Sequence, residues 1–218
     1  MPQFDLDGIW LARGAHPGSA DGCVMEWVAL FAGLPKTDRP ACTNIVVASI
    51  AIHLNDALDD GSRQGLKALI PELATAVRTA EDSRVDRRLA VWCARSMPTP
   101  TDAWLRALHE AALEAADGHL DGHVSDPTCR AAAAAAAEAG ARVGSIPLYV
   151  AADAAHAAVA EDPAGAVFNA AAGAVDWALE TGDPLGWFRR LLSAHAAIRN
   201  RETDLEVALP QEAVCSPA

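Results

Sequence analysis

The run Cys23-Val24-Met25-Glu26-Trp27-Val28-Ala29-Leu30-Phe31-Ala32 is apolar on most faces. It predicts a first helix that starts near Asp21. Gly33 is a natural C-cap, and Pro35 forbids easy continuation. After the loop Lys36-Thr37-Asp38-Arg39, Pro40 suits a first helical turn, which would place Cys42 in that turn. Ile45, Val46, Ile50 and Leu54 carry the second helix to about Leu58. Helices apolar on most faces are buried, so both should be central.

Residues 61–79 predict a third helix disturbed at Pro71. Residues 83–96 predict a fourth, with Val85, Leu89 and Trp92 interleaved with Arg84, Arg87, Arg88 and Arg95. Residues 102–116 form a fifth around Trp104, Leu105, Leu108 and Leu113. The stretch from Asp117 to Pro127 is the strongest break in the chain. Beyond it, helices near 127–143, 146–160, 163–181 and 184–202 rest mainly on alanine. Their larger anchors are sparse: Leu148, Tyr149, Phe168, Trp177, Trp187 and Phe188 among them. The pattern predicts an all-α bundle of about eight or nine helices. Residues 1–118 would form a helical core and 127–205 an Ala-rich half, either a subdomain or an outer layer.

Composition narrows this picture. The chain is 51% hydrophobic yet only 5% aromatic, and alanine fills the gap. Alanine is the best helix former and a poor strand residue, so a mainly β protein is excluded. Six Trp and recurrent large apolar residues argue against disorder. With 17 Lys and Arg against 29 Asp and Glu, the formal charge is −12. A chain-wide nucleic-acid footprint needs the opposite sign, and adhesion to an anionic membrane is disfavoured. The first ten residues lack a basic and an apolar signal region, and no apolar run of about 18 residues exists. A cytoplasmic protein is expected. Five Cys (23, 42, 93, 129 and 215), with no CxxC, fit free thiols in a reducing compartment.

The chemistry concentrates between His16 and Asp56. A cysteine at a helix start is a thiolate candidate, because the helix dipole and free N–H groups favour the anion. Glu26, three residues on, shares the face of Cys23. His53 and Asp56 are also three apart, at the end of helix two. Two geometries are open. In an antiparallel hairpin, Cys23 and Glu26 approach His53, Asn55 and Asp56, His16 folds over the same end, and Cys42 lies at the far end. If the 34–39 loop carries the chain back, Cys23, Cys42 and His16 converge beside Glu26, like a zinc deaminase site. Short connections favour the hairpin. It permits a Cys23 nucleophile activated by His53 or His16, with Asp56 or Asn55 orienting the base. It also permits a divalent metal, zinc or iron, on Glu26, Asp56, a His and Cys23. The competing reading is a buried thiol, a solvated Glu and a helix end capped by Asn-Asp.

A resemblance appears in the same stretch. Gly14-Ala15-His16, Cys23-Val24-Met25-Glu26-Trp27-Val28-Ala29, Asp38-Arg39-Pro40-Ala41-Cys42 and Asn55-Asp56-Ala57-Leu58 are similar to a group of uncharacterised, Ala-rich helical proteins of actinobacteria and their phages. Those carry a His, then C-x-M-E-A-V-A, then H/R-P-A-C, then W-N-D. The likeness covers about the first 110 residues. This chain departs at Leu54, where the group has an aromatic residue, and at Trp27, where it has Ala. His53 is not part of the group's pattern. The resemblance implies a site at His16, Cys23, Glu26, Cys42, Asn55 and Asp56 without implying a reaction.

Elsewhere, Asp117, His119, Asp121, His123 and Asp126 alternate acid and imidazole but lack the length and terminal Glu of an EF-hand. A solvated linker explains them better. Arg189, Arg190, Arg199 and Arg201 read as a solvated face. The expected function is a small enzyme acting on a small molecule by transfer or hydrolysis at Cys23 and Glu26. The alternative is a non-catalytic helical interaction module. A homo-oligomer is compatible with either.

Overall fold

The computed structural model describes residues 5–14, 20–76 and 82–208. His16 and Cys215 lie outside the described residues. The fold is all-α, and among the described residues the one β feature is an isolated parallel bridge between Leu11 and Gly22. The helices are α1 Val24–Phe31, α2 Ile45–Ala57, α3 Asp60–Arg63, α4 Ile70–Leu73, α5 Asp82–Arg95 and α6 Ala103–Leu120, then α7 Asp126–Val143, α8 Ile146–Val159, α9 Ala164–Thr181 and α10 Pro184–Ala208. No helix among the described residues is long and apolar enough to cross a membrane.

α1 and α2 each bury one side in the core: Val24, Met25, Val28, Val47, Ala51 and Leu54 are fully buried. The start of α2 corrects the sequence reading. Asn44, not Pro40, begins the helix, because its side chain accepts the N–H groups of Val46 and Val47 at 2.9 and 3.2 Å. Cys42 therefore sits in the turn before α2. Residues 61–79 do not form one helix either. Between α3 and α4 the chain tightens into a 3-10 helix, Gln64–Leu69. Pro71 has no N–H for the Lys67 carbonyl, which accepts from Ile70 instead. The predicted break at 117 comes too early. The apolar stripe Leu113, Ala116, Leu120 stays buried through Gly118 and His119, so α6 runs on to Leu120.

One apolar cluster holds buried residues from both halves of the chain. α8 lies at its centre, packed on α5, α6, α7 and α9. Small residues permit this closeness: a Cβ on Gly173 of α9 would come within 2.6 Å of Val150 Cγ2 on α8. The arginines of α5 close helix ends. Arg87 donates to the Ala160 carbonyl at the end of α8 at 2.7 Å, and Arg84 to the Leu120 carbonyl at the end of α6 at 3.1 Å. Cations suit the negative C-terminal end of a helix.

Candidate functional site

Cys23 takes an extended backbone conformation as the N-cap of α1. Its thiol and the Glu26 carboxylate form a reciprocal capping box, with the Cys23 N–H donating to Glu26 Oε2 at 2.8 Å. Both side chains are buried. Gly22 allows the carboxylate in, since a Cβ there would stand 3.3 Å from Glu26 Oε2.

The next helical N–H, on Val24, donates to Asn55 Oδ1 at 3.1 Å. The start of α1 thus meets the end of α2, as the hairpin predicts. Asn55 is fully buried, and its Nδ2 donates to the Ala12 carbonyl at 2.9 Å and to Asp56 Oδ1 at 3.1 Å. Asp56 Oδ1 also accepts the Gly14 N–H at 2.8 Å. Beneath them the buried Arg63 donates to the Asn55 and Leu58 carbonyls at 2.5 and 2.6 Å. This is a dense polar junction tying residues 12–14, α1, α2 and α3 together.

Two of the predicted residues lie away from it. Cys42 sits beyond the opposite end of α2, roughly 16 Å of helix from Asn55, so the converging geometry is not the one adopted. His53 is two residues before Asn55, about 200° around the helix, and points away from α1. Its Nε2 lies 3.0 Å from Asp176 Oδ1 on α9. Among the described residues no three His, Cys, Asp or Glu side chains are grouped to hold a metal.

The environment of Cys23 opposes a thiolate. Burial pushes its pKa up to about 11, with the Glu26 carboxylate adding to the rise, and the hydrogen bond from the Glu26 N–H compensates only in part. The helix-start effect expected from sequence is thus outweighed by desolvation. At pH 8 about one Cys23 in a thousand would be ionised. Iodoacetamide at that pH should therefore modify the half-buried Cys42 well before Cys23 and leave Cys23 intact until unfolding. Mass-spectrometric mapping of alkylated peptides checks this, and early labelling of Cys23 would contradict the burial argument.

The outer face of α2 carries a feature the sequence reading did not assemble. Ile45, Ser49, Ile52, His53 and Asp56 line an open groove with Arg39 before the helix and Phe168 on α9. Its two adjoining parts measure about 190 and 500 Å³ and share Arg39, Ser49 and Ile52. Phe168 and Ile45 are 49% and 44% exposed, unusual for side chains of their size. The Arg39 guanidinium meets no acceptor among the described residues. The available signal was Ile45 and Ile52, seven apart on the face that also bears Ser49, His53 and Asp56.

No family model matches the chain, and no curated protein or solved structure is significantly similar to it. The site is therefore read from its geometry. The weaker constellations resolve into structure. Asp117 pairs with Arg95 at 2.6 Å, Asp121 with Arg88 at 2.7 Å, and His119 Nδ1 meets the Val124 carbonyl at 3.0 Å. Residues 117–120 belong to α6, and the largely exposed turn from Asp121 to Ser125 is a solvated connection tied to α5 through Asp121. Of the late arginines, Arg190 pairs with Asp183 at 3.3 Å and Arg199 donates to the Thr75 carbonyl at 3.2 Å.

Proposed function

We propose that this protein binds a small organic molecule in the groove along the outer face of α2. The observation that carries the reading is the Arg39 guanidinium, without an acceptor among the described residues, at the junction of two apolar-walled depressions. Ile52, Ala57 and Phe168 supply apolar contact, while Arg39, His53 and Asp56 supply polar anchors. Apolar walls with a few polar groups are the usual composition of a ligand site. The junction behind the groove fixes one of those anchors: Gly14 and Asn55 hold the Asp56 carboxylate in place. In this reading Cys23, Glu26 and Asn55 position the binding face without touching the ligand.

An extension to catalysis, transfer or hydrolysis, draws on one contact. Asp176 engages His53 Nε2 and so orients the imidazole in the groove. A histidine held by a carboxylate is the usual form of a general base.

Anilinonaphthalene sulfonate, an apolar anion, is a suitable probe. Its fluorescence should rise on binding and its affinity fall at least tenfold in the Arg39→Ala/Phe168→Ala double variant, with helical circular dichroism unchanged. Both residues are exposed, so the fold should tolerate the change. Equal affinity for both proteins would reject the groove as the site.

A further inference from the structure

A second cavity, about 180 Å³, lies in the elbow between α5 and α6. Arg95, Thr99, His109, Glu110, Leu113 and Glu114 line it. His109 is 3% exposed, and neither of its ring nitrogens has a hydrogen-bond partner among the described residues. A buried imidazole without partners is rare, because losing water without replacement costs free energy. Burial also lowers its pKa, which favours the neutral ring with one donor and one acceptor nitrogen.

The charges around it have a definite sign. Glu110 and Glu114 are exposed, one helical turn apart, and neither forms an ion pair among the described residues. Arg95 is already neutralised, its Nε and Nη2 donating to Asp117 at 3.1 and 2.6 Å. The lining thus carries two unpaired carboxylates, an unpartnered imidazole and no uncompensated cation. Anions and neutral apolar guests would leave the carboxylates and the imidazole unserved. At about 180 Å³ the space also exceeds that of a bare metal ion.

We propose that this elbow binds a small aliphatic amine, its ammonium group donating to Glu110, Glu114 and the acceptor nitrogen of His109. An ammonium has three donors, matching three acceptors. Leu113 provides the apolar surface for the attached carbons.

The test is a titration of the full chain with 1,4-diaminobutane, followed through the ring nitrogens of the seven histidines by long-range nitrogen–proton correlation spectroscopy. The salt concentration is 0.3 M, to suppress diffuse attraction to the acidic surface. A saturable shift of the His109 nitrogens is expected. The Glu110→Gln/Glu114→Gln variant, which changes two exposed positions, should bind at least tenfold more weakly with its circular dichroism unchanged. 1,4-Butanediol should not bind. Three results would overturn the proposal: His109 unmoved by the amine, equal affinity in the variant, or equal binding of the diol. In the first case water alone satisfies the ring.

Discussion

Glu202→Ala should cost about 3–5 kcal/mol of stability, the range for breaking a buried ion pair by removing one partner. Glu202 lies on α10 and is 2% exposed. Its Oε2 stands 2.9 Å from Arg84 Nε, and Oε1 accepts from Arg88 Nε. Arg88 is itself buried, and its other contacts are Asp121 Oδ1 at 2.7 Å and the Leu120 carbonyl at 3.4 Å. Removing the carboxylate would leave the Arg88 Nε–H without its acceptor and Asp121 as the one remaining counter-charge among the described residues. The midpoint of urea unfolding should fall while the slope stays constant. An exposed control is available: Glu138 pairs with Arg142 at 2.5 Å with both side chains about two-thirds exposed. Its replacement by Ala should cost well under about 1 kcal/mol. Equal losses for the two variants would mean that the buried Glu202 pairs contribute no more than an exposed ion pair. The joint variant Glu202→Met/Arg88→Met should recover much of the loss, since the charges vanish together.

The same network gives stability a pH dependence of known sign. Arg88, first by hydrogen bond and then by charge, holds the Asp121 carboxyl below its ordinary value against the opposing effect of burial. A depressed carboxyl contributes stability that is present above the unfolded value and lost as pH falls through the folded one. The contribution of Asp121 is therefore in place at neutral pH and disappears below about pH 4.

What could be read from the chain, and what could not, divides along local and tertiary information. The late helices were legible: α7 and α9 fall within a residue of the predicted bounds because Pro127, Gly144, Pro163 and Gly182 punctuate them. The spacing of Cys23 and Glu26 was legible as a shared face, and it proves to be a capping box, a local device. The hairpin followed from loop length. Cys42 was misplaced because Pro40 and Asn44 are both helix starters, and Asn44 prevails by also reaching Asp86 at 2.7 Å, 42 residues away. His53 was assigned to the wrong face for want of a phase: only the bond from Val24 to Asn55 fixes which side of α2 meets α1. The groove was out of reach, since Arg39 and Phe168 are 129 residues apart and meet only because α2 packs on α9. Alanine stripes match many partners equally well, so sequence alone does not specify that pairing.

Asn55→Leu should be the most damaging change in the junction, and the comparison with Cys23→Ser tests what the junction does. Leucine nearly matches asparagine in volume but leaves the Val24 N–H and the Ala12 carbonyl without partners. Each orphaned buried group costs about 1–3 kcal/mol. Asn55→Asp should also destabilise: it keeps an acceptor for Val24 but turns an oxygen toward the Ala12 carbonyl and toward Asp56. Cys23→Ser retains a side chain that caps a helix well, so it should change stability by less than about 1 kcal/mol. Amide exchange at Val24 and Gly14 should accelerate in Asn55→Leu and stay slow in Cys23→Ser, because both N–H groups depend on the Asn55–Asp56 pair. Probe binding in the α2 groove should follow the same order, since Asp56 is held through Asn55. If Cys23→Ser instead abolished binding or activity with exchange unchanged, the thiol would have a chemical role that its burial argues against. A capping and positioning role requires the opposite result: retained function in Cys23→Ser and loss of both function and protection in Asn55→Leu.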